Sequence, residues 1–211
     1  EIRNCDWSSD VCSSDLADLG IEVLLRIFSK SGLESLFTSA NIRSDSSENA
    51  KRIYLLKNAY IENIDNVISF LQGNNPTFAY LIASRNLLPE AERFKNYNDF
   101  AFGSMGIQDK ARYVATLFLE DLSDFIKECI DEKFGFTRYA ERLGRCANQF
   151  DEIYEALQQP PSYIDQVLFS VLSEHFQSIS PNLVAVSVPF PGNLFADRKS
   201  TRLNSSHSSV S

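Results

Sequence analysis

The chain has 211 residues, a formal net charge of -8 and 44% hydrophobic residues, a composition typical of an ordinary globular protein. These values argue against a disordered chain, a collagen and a disulfide-rich mini-protein. The acidic charge argues against general binding to nucleic acids or membrane surfaces, because such binding requires a basic face. There is no run of about 18 uninterrupted apolar residues, so no membrane-spanning helix is predicted.

The two ends of the chain differ in composition from the middle. Residues 1–16 and 197–211 are rich in serine and have neither helical nor strand periodicity, as a disordered polar tail would. However, residues 197–207 match the translation of a common short-read sequencing adapter, and residues 5–16 match that of its reverse complement. We therefore expect both ends to be adapter-derived and disordered, and we take residues 17–196 as the segment that carries function.

Residues 17–182 are predicted to form a helical region. Apolar side chains follow one face of residues 21–37, where Gly32 interrupts the pattern. In residues 51–72 they recur at steps of three and four, which is the spacing of an amphipathic helix.

A further helix is predicted to begin at Pro76, with Asn75 as its N-cap, and to end near Leu88. Shorter helices are expected at about 137–149 and 151–158.

The clearest helical pattern covers residues 107–131. One stripe consists of Ile107, Ala111, Val114, Phe118, Leu122, Phe125 and Cys129. Four acidic residues lie beside this stripe and predict a solvated acidic face: Glu120, Asp121, Asp124 and Glu128.

The last predicted helix covers residues 162–179. Ser162 and Asp165 resemble a capping box, with Asp in place of the usual Glu or Gln. His175 lies near the end of this helix, where the helix dipole favours it without any functional role. Because it is the only histidine of residues 17–196, neither a histidine metal site nor a Ser-His-Asp triad can be assembled.

Residues 183–188 break the helical pattern. They form a β-branched and almost continuously apolar run, which favours a strand covered on both faces, as in a parallel sheet. The nearest candidate for a partner strand is the short stretch 17–19. We therefore expect the remaining strands of the sheet to lie outside residues 17–196.

The loop after this strand is the strongest candidate site. In open parallel sheets, ligands bind beyond the carboxyl ends of the strands, where Ser187 and the loop 189–193 would lie. Gly192 would allow a ligand to approach the backbone closely. An ordinary strand-to-helix turn would have the same residues, and the two alternatives stay open at this point.

Other motifs predict little chemistry. Cys129 and Cys146 form neither a disulfide framework nor a metal motif, which favours a reduced, cytoplasmic protein. Cys129 is expected to be a buried small hydrophobe, and the aromatic residues are expected to fill a core. Residues 103–106 lack the strand and lysine that a phosphate-binding loop requires.

Several stretches resemble one known family. Residues 183–195, LVAVSVPFPGNLF, resemble the third strand and following loop of the cobalamin-binding domain in a group of radical SAM proteins. Residues 17–33 resemble the end of the second strand and the helix beyond it in the same domain. Four further segments of the chain resemble the long helical stretch between those two strands of the family: 84–91, 103–110, 119–125 and 139–144.

The resemblance implies a mainly α chain: a helical insertion in 17–182 and, in 183–196, part of an incomplete parallel α/β, Rossmann-like cobalamin-binding domain. It implies that Ser187 and, more weakly, Gly192 and Asn193 contact cobalamin. The parent enzyme would use S-adenosylmethionine and a [4Fe–4S] cluster for methyl transfer or a radical rearrangement. The chain has no CxxxCxxC run to hold that cluster, so a non-catalytic fragment is expected, with the remainder of the parent chain as its partner.

Two alternatives stay open. The first is a stand-alone helical module for protein interaction, which would need a closed hydrophobic core of its own. The second is a small helical hydrolase, which would need two carboxylates that converge in a deep pocket. In none of these hypotheses is a nucleic acid or a membrane the partner, and none of them identifies a substrate.

Overall fold

A computed structural model describes residues 18–95, 97, 106–136, 154, 155 and 157–180. Apart from the helical residues 154, 155, 157 and 158, the chain forms seven α-helices and two short 3-10 helices within these ranges, and it forms no strand there. The α-helices are α1 (Leu19–Ile27), α2 (Lys30–Ser39), α3 (Glu48–Leu55), α4 (Lys57–Leu71), α5 (Ala79–Ala83), α6 (Ile107–Cys129) and α7 (Tyr163–Ile179). The predicted helical region is thereby confirmed for the described residues.

The first described residues of the chain start a helix. The prediction that residues 17–19 are part of a strand is therefore wrong for Asp18 and Leu19, the two residues of this stretch that the structure describes. Asp18 is the N-cap of α1, and its Oδ1 accepts a hydrogen bond of 3.1 Å from the Ile21 amide. This side-chain bond satisfies a backbone donor that the helix itself leaves free. Leu19 is already helical.

The predicted helix over 21–37 is two helices, because the chain turns at Phe28 and Ser29. The Ser29 hydroxyl accepts a hydrogen bond from the Gly32 amide and so caps the start of α2. Gly32 lies inside α2, where its backbone packs against the end of α1. A Cβ at this position would lie 2.0 Å from the carbonyl oxygen of Arg26, so only glycine allows this approach.

The predicted helix over 51–72 is also divided, since α3 ends at Leu55 and α4 begins at Lys57. The helix after Asn75 begins with the 3-10 helix Pro76–Phe78 and ends at Ala83, earlier than expected. It ends there because Arg85 has a φ of 60°, which a right-handed helix does not accommodate.

The predicted helix over 107–131 is confirmed as α6, which ends at Cys129, and it is the central helix of the described residues. Five members of its stripe are fully buried: Ala111, Val114, Phe118, Leu122 and Phe125. The Phe118 ring stacks on Tyr60 of α4 with a centroid distance of 4.9 Å. Residues of α1 to α5 and α7 complete one continuous hydrophobic core around it.

The capping box at the start of α7 is confirmed. The Ser162 hydroxyl accepts a hydrogen bond from the Asp165 amide, and the Asp165 carboxylate accepts one of 2.8 Å from the Ser162 amide. The helix ends at Ile179, followed by Ser180 in a left-handed conformation.

None of the helices in the described ranges combines the length and the apolar character needed to cross a lipid bilayer. Residues 154, 155, 157 and 158 are helical, in agreement with the helix predicted at 151–158. The predicted helix at 137–149 and the predicted strand at 183–188 lie outside the described residues.

Candidate functional site around Asp121

The site residues predicted from the sequence are Ser187, Gly192 and Asn193, and all three lie outside the described residues. Cys146 does as well. The polar groups that the structure does bring together lie elsewhere, around α6 and the 84–95 loop. We call residues 84–95 the anchored loop. They follow α5, include the 3-10 helix Glu92–Phe94 and end at Lys95.

Asp121 holds the anchored loop to α6. Its side chain is completely buried, so the predicted solvated acidic face is wrong at this position. One carboxylate oxygen accepts a hydrogen bond of 3.0 Å from the Ala91 amide, and the other accepts one of 3.0 Å from the Arg93 amide. Tyr60 donates a third, longer bond of 3.4 Å. The carboxylate thus satisfies the backbone donors of Ala91 and Arg93, which lie at the start of the 3-10 helix Glu92–Phe94, where the helix itself supplies no acceptor.

Burial determines the electrostatics of this cluster. It raises the pKa of Asp121, and the hydrogen bonds from Arg93 and Ala91 oppose that rise. Burial also raises the pKa of Tyr60, with the neighbouring Asp121 as the second cause. Because Asp121 is inaccessible and its oxygens are already bonded, it cannot exchange a proton with a bound substrate. Its role is to position the loop.

The other acids of α6 are also engaged. Asp124 forms a two-point contact with the Arg93 guanidinium, with N–O distances of 2.6 and 2.8 Å. Glu128 accepts hydrogen bonds of 2.7 Å from both the amide and the hydroxyl of Ser47, the N-cap of α3. Asp124 and Glu128 thus lie on the surface, and each binds a residue outside α6. The spacing of acidic residues within one helix could not predict these contacts.

Arg85 fixes the other end of the anchored loop. Its guanidinium contacts both oxygens of Glu90 at 2.8 and 2.6 Å and lies 4.1 Å from the centre of the Tyr97 ring. These contacts offset the strain of a positive φ at a residue with a side chain. Phe94, close by, is buried, as the aromatic pattern predicted.

A groove of about 530 Å³ lies between α3 and the anchored loop. Three glutamates line it, but each is tied to a basic residue: Glu48 to Lys51, Glu90 to Arg85, and Glu92 to Lys95. The groove is open, so these acids lack the enclosed and desolvated setting in which carboxylates act as general acids. The groove gives no support to the hydrolase hypothesis.

A second polar cluster joins α1 to α7. The Nε2 atom of His175 lies 2.6 Å from Glu22, and the Arg26 guanidinium contacts both oxygens of Glu174 at 3.1 and 2.6 Å. The sequence suggested only a helix-dipole role for His175. Its carboxylate partner is 153 positions away, and no local pattern could have identified it.

The thiol of Cys129 is free and partly buried against the core, close to the predicted burial. Burial raises its pKa to about 11, which disfavours the reactive thiolate. No group of three or more His, Cys, Asp or Glu side chains that could hold a metal ion occurs among the described residues.

Comparison of the chain with family models, with curated proteins and with solved structures gives no match.

Proposed function

We propose that residues 17–182 are a helical insertion in the cobalamin-binding domain of a protein that resembles radical SAM enzymes, and that they act as a scaffold without chemistry of their own. The observation that supports this proposal is the pairing of the first and last helices of the described residues. Glu22 in the first turn of α1 contacts His175 near the end of α7. Tyr163 at the start of α7 donates a hydrogen bond to the carbonyl of Gly32, whose backbone packs against the end of α1, so α1 and α7 run antiparallel. The start of α1 and the end of α7 therefore lie at the same end of the helical unit.

An insertion between two strands of one sheet needs this arrangement. The chain must leave one strand and return to a neighbouring one, so the ends of the insertion must be close together. Two of the segments on which the resemblance depends, 84–91 and 119–125, are in contact, because Asp121 accepts a hydrogen bond from the Ala91 amide.

The described residues do not themselves fit the cofactors that the resemblance implies. The proposed cobalamin contacts, Ser187, Gly192 and Asn193, are outside them, and no metal-holding group of side chains is among them. The whole sequence lacks the CxxxCxxC run for an iron–sulfur cluster. We therefore assign no chemical step to this chain. Cofactor binding, a cytoplasmic location and methyl transfer or radical rearrangement belong to the proposed parent.

The decisive test is the natural DNA sequence on both sides of the codons for residues 17–196. We expect it to continue an α/β pattern and to encode a CxxxCxxC run downstream. The extended protein should retain hydroxocobalamin through gel filtration, measured by its visible absorption, and Ser187→Trp should reduce that retention. The 211-residue chain should retain none. A stop codon directly after residue 196, or tight cobalamin binding by the 211-residue chain, would contradict the proposal.

A stand-alone interaction module remains a second candidate because the described helices share one continuous hydrophobic core. A core of this kind can fold without a sheet. In that case, a natural gene covering little more than residues 17–196 would produce a monomeric, cooperatively unfolding protein. Natural flanks that encode further strands would exclude this candidate.

A further inference from the structure

The contact between α1 and α7 changes in character along its length. Toward α2 it is apolar, since Ile27 is fully buried and Leu168 and Val171 are also buried. At the opposite end, Ile21 is 56% exposed and Ile179 is 41% exposed. The apolar half therefore holds the two helices together, and the half near the ends of the helical unit depends on polar contacts.

Two polar pairs join α1 to α7, one at each end of α1, and they respond differently to pH. Arg26 and Glu174 hydrogen-bond to each other, which lowers the pKa of Glu174, so this pair keeps its charges from mildly acidic to mildly basic solution. The other pair contains His175, whose side-chain type changes its charge within that range. Among the described residues, the charged groups that interact with His175 are Glu22 of α1 and Glu174 of its own helix, and Arg26 of α1 interacts with both of these acids.

We propose that Glu22 and His175 form a pH-sensitive clamp that closes the end of the α1–α7 pair. When the imidazole is protonated, the 2.6 Å contact joins opposite charges, and when it is neutral only a hydrogen bond remains. Acidification thus tightens the contact between the first turn of α1 and the end of α7. One consequence rests on the proposed function: the clamp would control the separation of the two strands that flank the insertion.

The experiment is a double-mutant cycle on the full chain with Glu22→Gln, His175→Gln and the double variant. Urea unfolding is measured at about pH 5.5 and about pH 8, on either side of the ordinary histidine pKa. Because the pair is partly exposed, we expect its coupling to change the unfolding equilibrium constant by roughly two- to fivefold at the lower pH. At the higher pH the coupling should fall below about half of that change. Both side chains are partly exposed, so the variants should fold.

The matched control is the same cycle on Arg26→Gln and Glu174→Gln, whose coupling should be equal at the two pH values. His175→Lys should restore coupling with Glu22 at the higher pH, since its charge is permanent there. Equal coupling of Glu22 and His175 at both pH values, or none at the lower pH, would overturn the clamp. None of these results depends on the natural flanking sequence, so the clamp and the proposed function can fail separately.

Discussion

Two regions of this protein use carboxylates to join distant parts of the chain, in opposite environments. Asp121 is fully buried and accepts hydrogen bonds from two backbone amides of the anchored loop. Glu174, at the contact between α1 and α7, is half-exposed and faces the side chain of Arg26. The Asp121 carboxylate takes the place of water as the acceptor for the Ala91 and Arg93 amides. The Arg26 guanidinium, in contrast, can bind water if Glu174 is removed, because it is about half-exposed.

The comparison shows that a short hydrogen bond does not by itself contribute much to the free energy of unfolding. The Arg26–Glu174 pair is short and two-pointed, yet solvent screening and side-chain entropy offset most of the attraction between its charges. The Asp121 bonds are longer, but their loss would leave one buried and one partly buried backbone donor unpaired. Sensitivity to mutation should therefore follow burial rather than bond length.

The largest expected effect is that of Asp121→Ala. It removes the acceptor for the amides of Ala91 and Arg93 and leaves a small cavity, so we expect a loss of about 3–5 kcal/mol in the free energy of unfolding. Urea denaturation would measure it. The control is Tyr60→Phe, which removes only the 3.4 Å bond and should cost about 1 kcal/mol. Equal losses for the two variants would contradict a central role for the backbone bonds.

Gly32→Ala should have an intermediate effect. The added methyl group would lie 2.0 Å from the Arg26 carbonyl oxygen and 2.5 Å from that of Ile27, so α2 must move away from α1. We expect a loss of about 2–3 kcal/mol, measured by thermal or urea unfolding. Gly20→Ala is the matched control in α1, because its methyl group would meet only the Oδ1 atom of the Asp18 side chain, at 3.3 Å, and no backbone atom. That variant should be neutral or stabilised by up to about 1 kcal/mol.

The smallest expected effect is that of Arg26→Gln. Both members of its pair are about half-exposed, so the variant should unfold at nearly the same urea concentration as the wild type. Any difference should shrink further when salt is raised to about 1 M, because exposed charges are then screened within a few ångströms. A loss as large as that of Asp121→Ala would show that burial is not the deciding factor.

Local patterns predicted much of this fold but little of its polar organisation. The period of α6 and the Ser162–Asp165 capping box were predicted correctly because both depend on residues three or four positions apart. The burial of Asp121 was missed because spacing within α6 does not reveal what faces each of its residues. For Asp121 that neighbour is the anchored loop, about 30 positions earlier in the chain.

The sequence by itself determined where most helices form and which of their faces are apolar, because helix periodicity and capping act over a few residues. Only the tertiary structure decided that Gly32 admits a neighbouring carbonyl, that Asp121 is an internal acceptor and that His175 meets Glu22. The physical reason is that packing brings together groups from remote positions, and their chemistry depends on the resulting burial. For the same reason, the pairing of α1 with α7, on which the proposed function depends, could not be predicted from any single stretch of residues.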